Sequence, residues 1–192
     1  MELITKTIDF ITHYLSLGGP ILGFFIIILE SFIPPLPLGV FVALNCNAFG
    51  IIIGITLSYL ATIIGCVLSY TLFKNLSNKF IYKHLNDKNK NRVEKASKKF
   101  NKLSLSGLVL LIALPFTPAF LINIVAGVSN LKKEKFLAAL FIGKISTISF
   151  WGIIGKSLIE SMTDINSILF IAIALILAYV ASKIVSKQTH IE

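Results

Sequence analysis

Two apolar stretches of this chain are interrupted near their middle by prolines that share the spacing P-x-x-P. The stretches and their prolines are residues 21–50 with Pro34, Pro35 and Pro37, and residues 105–130 with Pro115 and Pro118. Proline removes a backbone donor and its ring disrupts a regular helix, so we expect each stretch to break there. A flank of about 12 residues spans about 18 Å as a helix, which reaches the middle of a bilayer without crossing it.

The composition places the chain in a membrane. Of its 192 residues, 55% are hydrophobic and 14% are charged, and the mean hydropathy is +0.85. That is far too apolar for a soluble domain of this size. Residues 51–73 and 136–156 are long enough to cross a hydrocarbon core of about 30 Å, and residues 167–186 form a shorter third span. Residues 1–19 are predicted to form an amphipathic segment at the membrane interface.

The basic residues predict how the chain crosses the membrane. In residues 74–104, Lys and Arg greatly outnumber the acidic residues, and the positive-inside rule assigns such a loop to the cytoplasm. If residues 105–130 crossed once, the basic cluster at Lys132 and Lys133 would lie outside. If they enter the membrane and return, this cluster lies inside, and the basic residues that follow the last span lie inside as well. Only the second path agrees with every basic cluster.

The predicted fold is an all-α membrane protein built as an inverted repeat. Each copy is a re-entrant helical hairpin followed by a transmembrane helix, and a further C-terminal transmembrane helix follows the second copy. The single membrane domain, residues 20–186, divides into a first hairpin at 20–50, a span at 51–73, a cytoplasmic loop at 74–104, a second hairpin at 105–130, and spans at 136–156 and 167–186. The two hairpins would enter from opposite sides, as expected of a transporter. The alternative is that the prolines only kink ordinary spans.

Two charged residues are stranded in apolar segments. Glu30 is the acid inside the first hairpin, and Lys144 lies eight residues into a span. A charge at the bilayer centre costs about 2.5 to 3.5 kcal/mol, so each should face a cavity or a partner. In a functional interpretation Glu30 titrates with transport or orders the lipid path, and Lys144 holds a lipid phosphate. A buried ion pair between the two is an equally good interpretation.

The half-helices that restart after the prolines offer a second way to bind an anion. After Pro37 and Pro118, free N–H groups and positive helix-dipole ends would point to the membrane midplane. Asn45 and Asn123 could add amide donors, although asparagine in a membrane segment more often forms a bond between helices. Thr117 could hydrogen-bond the carbonyls freed at the turn.

The remaining polar and special residues indicate structure rather than chemistry. Gly127 is most simply a close-packing position, and Trp151 is interpreted as a packing residue. No carboxylate cluster, nucleophile motif or metal-ligand spacing appears, so we expect no enzyme activity, no cofactor and no metal site. The basic loop could suggest RNA, but beside a span it more simply sets orientation and touches anionic lipid. Nucleic acid is therefore not an expected partner.

Five motifs carry a resemblance to a known family. They are ESFIPPLP, NAFG and GCVLSYTLFK in the first half, and LPFTPAFLINIVAGVS and FLAALFIGK in the second. They resemble the VTT-domain (SNARE-associated Golgi protein) family of the DedA superfamily over roughly residues 20–160. The second hairpin is the most specific part, with Pro115, Pro118, Asn123 and Gly127 in the family's order.

The resemblance implies a bacterial inner-membrane protein with two opposed re-entrant hairpins that moves lipids between leaflets. Such lipids include undecaprenyl phosphate in bacteria and phospholipids in eukaryotic relatives. Two departures matter. Many DedA members have a second acid just after the first proline cluster, where this chain has Leu38, Gly39 and Val40. Many also have an arginine shortly before the second cluster, where residues 110–112 are apolar, so proton coupling and tight phosphate clamping are weaker expectations here.

The favoured function is a flippase or scramblase for a polyprenyl phosphate, such as undecaprenyl phosphate, or for a phospholipid. The alternatives are a proton- or ion-coupled transporter of a small solute, and a membrane assembly factor that transports nothing. The expected location is the cell membrane, crossed several times. The expected partners are membrane lipids, and a homo-oligomer is left open.

Overall fold

The computed structural model describes residues 2–33, 38–76 and 87–160, together with Ile176 and Val180. Within this part the chain forms helices and no strand, which agrees with the all-α prediction. The helices are α1 Glu2–Glu30, α2 Leu38–Phe49, α3 Ile51–Leu76, α4 Asp87–Lys102, α5 Leu105–Ala113, α6 Ala119–Val128 and α7 Lys133–Glu160. Pro34, Pro35, Pro37 and, apart from those two single residues, the predicted span at 167–186 lie outside the described residues.

α1 consists of two helical segments that meet at a kink. Gly19 has a φ of 64° and a ψ of −175°, and Pro20 follows it. A positive φ favours glycine because it has no Cβ, and proline cannot donate the next helical hydrogen bond. The kink lies where the predicted interfacial segment, residues 1–19, meets the predicted first hairpin. The interfacial position of that segment stays a prediction.

Within the described part of the chain, α3 and α7 are the two helices that are long and apolar enough to cross a membrane, over Ile51–Leu76 and Lys133–Ser157. A helix of 26 residues, the length of α3, is about 39 Å long. Both helices expose large apolar side chains on their outer faces, such as Ile52, which is 79% exposed, and Ile145, which is 58% exposed. Faces of this kind are favourable against lipid and unfavourable against water. They support the two predicted spans at 51–73 and 136–156.

α5 and α6 form a helical hairpin whose turn contains Pro115 and Pro118. α5 has nine residues, and the Ser104 side chain caps it by accepting a hydrogen bond from the Gly107 N–H. The helix stops at Ala113, just before the first proline, and α6 begins directly after Pro118, which is its N-cap residue. The prolines therefore end one helix and precede the next, as their chemistry predicted.

The two open ends of this hairpin lie side by side. The Asn101 side chain, at the end of α4, donates a hydrogen bond of 2.8 Å to the carbonyl of Ser129, just after α6. The Lys135 ammonium, at the start of α7, donates to the carbonyl of Leu103, just before α5. The chain therefore enters and leaves the hairpin on the same side of the protein. That it does so inside a membrane stays a prediction.

The helices of the two halves exchange partners. α3 packs on α6, the second helix of the second hairpin, and α7 packs on α2, the corresponding helix of the first half. α3 also packs on α1, as α7 does on α5. One buried apolar cluster surrounds Tyr70, Leu108 and Phe136, and another surrounds Ile27 and Ile148. The core is thus built by packing across the two halves as well as within each.

One close contact occurs in both halves at matching positions. A Cβ built on Gly65 of α3 would lie 3.1 Å from the Ile28 carbonyl oxygen and would also meet the Ser31 side chain. A Cβ built on Gly143 of α7 would lie 2.9 Å from the carbonyl oxygen of Val109 and would meet the side chain of Ile112. The shift along the sequence that takes Ile28 to Val109 also takes Ser31 to Ile112. The same shift takes the first P-x-x-P motif to the second.

Candidate functional site

A cavity of about 230 Å³ lies between two regions, which we call the hairpin tips. One tip is the turn between α5 and α6 with the start of α6, and the other consists of the last residue of α1 and the first residues of α2. The walls of the cavity are these two tips and the middle of α7. The lining side chains and backbone groups belong to Glu30, Leu38, Gly39, Val40, Pro115, Phe116, Thr117, Pro118, Ala119, Phe120, Lys144, Thr147 and Trp151. Segments far apart in the sequence therefore meet at one site.

The two stranded charges both line this cavity. Glu30 is 6% exposed and Lys144 is 3% exposed. The Oε2 atom of Glu30 has no hydrogen-bond partner among the described residues. A buried polar atom normally has one. At least one carboxylate oxygen of Glu30 therefore stays free to accept a hydrogen bond.

Two side chains of α7 bind the carbonyl groups that the broken helix leaves without partners. The Thr147 hydroxyl donates to the carbonyl of Ile112, the second-last residue of α5, at 2.7 Å. The Trp151 indole N–H donates to the carbonyl of Pro115, in the turn itself, at 3.1 Å. The sequence suggested Thr117 for this task, but Thr147 and Trp151 perform it. Trp151 also packs, as predicted, and its polar contribution was missed.

Both residues could have been found from their spacing with Lys144. Lys144, Thr147 and Trp151 follow one another at i, i+3 and i+7, which places them on one face of a helix. When a hydroxyl and an indole N–H lie on the same helix face as a buried charge, they indicate that this face of a membrane helix borders a polar cavity. The carbonyl groups that Thr147 and Trp151 bind could not be predicted from that spacing.

Two helix N-termini border the cavity. Ala119 and Phe120 are the first residues of α6, and residues 38–40 are the first of α2. Pro118 supplies no side-chain cap to α6. N–H groups in a first helical turn lack intrahelical partners, and the positive end of the helix dipole attracts anions. Together with Lys144, these helix ends give the cavity several groups that favour a phosphate.

Among the described residues, three of the candidate site residues named from the sequence, Asn45, Asn123 and Gly127, do not line the cavity. Asn45 donates hydrogen bonds to the Ser58 hydroxyl, at 3.2 Å, and to the Gly23 carbonyl, which joins α2 to α3 and α1. Gly127 lies so close to α3 that a Cβ on it would be 2.8 Å from the Tyr70 carbonyl oxygen. Asn123 is buried, and its Nδ2 has no partner in the described part of the chain. In this structure Asn45 and Gly127 hold helices together.

The described residues contain no group of three or more His, Cys, Asp and Glu side chains that could hold a metal ion. Cys46 and Cys66 are buried free thiols. The chemistry available at the cavity is therefore that of one carboxylate, one ammonium and a set of neutral donors.

Comparisons with known proteins point to one family. The family model for the VTT domain matches residues 36–157, which include every cavity residue except Glu30. A protein of Bacillus subtilis (strain 168) named "Uncharacterized membrane protein YhjE" is 29% identical over 178 residues, covering 90% of this chain and 83% of that protein. No solved structure matches the chain.

Proposed function

We propose that this chain, which belongs to the VTT-domain family of membrane proteins, moves a lipid with a phosphate headgroup between the two leaflets of the cell membrane. The substrate would be a polyprenyl phosphate, such as undecaprenyl phosphate, or a phospholipid. The observation that carries this proposal is the cavity at the hairpin tips, where buried Lys144 and Glu30 meet two helix N-termini.

The groups around the cavity suit a phosphate headgroup. The Lys144 ammonium and the first N–H groups of α6 would neutralise the phosphate charge. Glu30 would accept a hydrogen bond from a headgroup hydroxyl or ammonium, because its Oε2 has no partner among the described residues. The lipid tails would stay in the bilayer, against the apolar outer faces of α3 and α7, while the headgroup crosses through the cavity.

The exchanged packing of the two halves supports an inverted repeat. The matched glycine contacts of Gly65 and Gly143 and the partner exchange among α2, α3, α6 and α7 are what two similar copies in opposite orientations would produce. Transporters with such repeats hold their substrate near the midplane, at the repeat interface. In this chain the cavity would be that interface. Rocking of one hairpin against the other would expose it to each leaflet in turn.

The basic residues support one orientation for these movements. α4 exposes Lys95, Lys98, Lys99 and Lys102, and its end is bonded to the open end of the second hairpin. Lys132 and Lys133, which follow that hairpin, are also exposed. A basic surface of this kind belongs on the cytoplasmic side of the membrane. The second hairpin would then enter the membrane from the cytoplasm.

Leaflet exchange by the purified protein in proteoliposomes tests the proposal. A panel containing a polyprenyl phosphate, an anionic phospholipid and a zwitterionic phospholipid would be compared with protein-free vesicles. We expect faster exchange of at least one of these lipids. Uptake of a small solute driven by a pH gradient, without lipid exchange, would favour a coupled solute transporter. Inactivity in both assays would favour an assembly factor, and either result would overturn lipid transport.

A further inference from the structure

Trp151 touches the tips of both hairpins at once. Its indole N–H donates to the carbonyl of Pro115, in the turn of the second hairpin. On its other side lies Gly39, in the first turn of α2. A Cβ built on Gly39 would lie 2.5 Å from the indole Cδ2 and 2.6 Å from Cε3. No real Cβ approaches a ring carbon that closely, so α2 can lie on the indole only because residue 39 has no side chain.

The requirement for glycine at this position comes from space and not from backbone conformation. Among the described glycines, positive φ values occur at Gly19 and Gly50 and not at Gly39. The indole is also held edge-on by Phe116, with ring centroids 5.6 Å apart, and by Phe150, at 5.3 Å. Trp151 therefore has one defined position, set from several sides.

In this position Trp151 lies between the two tips. It lies on the same face of α7 as Lys144, and both tips that it touches line the cavity. We propose that Trp151 and Gly39 are a matched pair that sets the spacing of the hairpin tips, and hence the width of the cavity beside Lys144 and Glu30. Trp151 is thus a positioning residue. Its effect on transport rests on the proposed function, whereas its effect on cavity geometry does not.

Tryptophan fluorescence tests the geometry alone. Trp151 is the single tryptophan of the chain, so the emission of the full-length protein in lipid nanodiscs reports on this site only. Gly39→Ala should displace the indole, shift its emission to longer wavelength and increase its quenching by acrylamide. Gly107→Ala is the matched control, because a Cβ there would come no closer than 3.3 Å to the Ser104 hydroxyl and Gly107 does not line the cavity. Emission and quenching that are the same in both variants would overturn the inference.

A double-mutant cycle tests the pairing in folded yield and in lipid exchange. Trp151→Leu removes both rings, so the methyl group added by Gly39→Ala then has room. We expect Gly39→Ala to cause a large loss in the presence of Trp151 and little further loss in the Trp151→Leu background. If Gly39→Ala alone does not fold, the same rescue should appear in yield. An equal loss in both backgrounds contradicts the pairing. If the wild-type protein moves no lipid, the proposed function fails, while emission and yield still decide this inference.

Discussion

Three residues on one face of α7 contribute differently to the cavity. Lys144 brings a charge, Thr147 binds a carbonyl of α5, and Trp151 binds a carbonyl of the turn. The last two stabilise backbone groups that the interrupted helix exposes, which in lipid would otherwise cost several kcal/mol each. The charge of Lys144 is thereby held in a polar wall instead of facing hydrocarbon.

Thr147→Val should lower the free energy of unfolding, because it leaves the Ile112 carbonyl without its donor. We expect a loss of about 1 to 2 kcal/mol. The matched control is Thr71→Val, since the Thr71 hydroxyl is exposed and bonds only to Val67 within its own helix. Unfolding in detergent would be followed by circular dichroism. Equal stability of the two variants would show that the bond to α5 contributes nothing.

The opposite charges of Glu30 and Lys144, both buried beside one cavity, predict a compensating pair of substitutions. Glu30→Gln or Lys144→Met alone should reduce folded yield, because each leaves a buried charge without its counterpart, at about 3 to 5 kcal/mol. The double variant should recover much of the yield. Normal yields with lost transport in the single variants would instead assign both residues to substrate. If the effects of the two substitutions simply add, both in yield and in transport, Glu30 and Lys144 do not act as a pair.

At the scale of the helices, the turn of the hairpin α5–α6 forms one wall of the cavity. Both of its helices are short, with nine and ten residues, and its turn reaches the cavity while its open ends lie together at the other end. A helix that ends inside the protein is tolerated because its turn is packed against α7 and lines a polar space.

Pro118→Ala should let α6 extend toward the turn and move its N-terminus away from the cavity. Exchange of an anionic lipid should then fall more than that of a zwitterionic one, because the lost interaction with a charge is worth about 1 to 2 kcal/mol. Pro20→Ala, at the kink of α1 away from the cavity, is the matched control. Leaflet exchange of both lipids would be measured at equal amounts of folded protein. Unchanged rates in Pro118→Ala would rule out a helix N-terminus as part of the site.

Features of the site differ in how far the sequence could reveal them. The end of α5 and the restart of α6 were predictable, because proline acts on its own helix. The sequence also predicted that Glu30 and Lys144 would each face a cavity or a partner, because a buried charge requires polar surroundings. The bonds of Thr147 and Trp151 were not, because they depend on how α7 packs against residues about 35 positions earlier. The mutual fit of Gly39 and Trp151 depends on packing in the same way.

At the scale of the whole molecule, helices of one half pack on helices of the other. α3 and α7 each pack on the second helix of the other half, so neither half could form this core alone. The inverted repeat, which stays a prediction, would account for this exchange, and it would require the second hairpin to return to the side from which it enters the membrane.

Single cysteines in a background without Cys46 and Cys66 test this path in intact cells. Exposed positions on the two sides of the second hairpin are Ser106 and Lys132. Ser161, which directly follows α7 in the sequence, lies outside the cell on the predicted path. We expect an impermeant thiol reagent to label Ser161→Cys and to leave both Ser106→Cys and Lys132→Cys unlabelled until the membrane is opened. Labelling of Lys132→Cys from outside, with Ser106→Cys protected, would show that the hairpin crosses the membrane.

The central claim is that the cavity carries a phosphate headgroup past Lys144. Leaflet exchange of an anionic lipid should be compared for Lys144→Met and Lys132→Met at equal amounts of folded protein. Each variant removes one lysine charge, but Lys132 is exposed outside the cavity. If the unpaired Glu30 prevents folding, Lys144→Met would be measured together with Glu30→Gln. We predict that exchange is lost with Lys144→Met and retained with Lys132→Met, and equal exchange in the two variants would contradict a role of this cavity in transport.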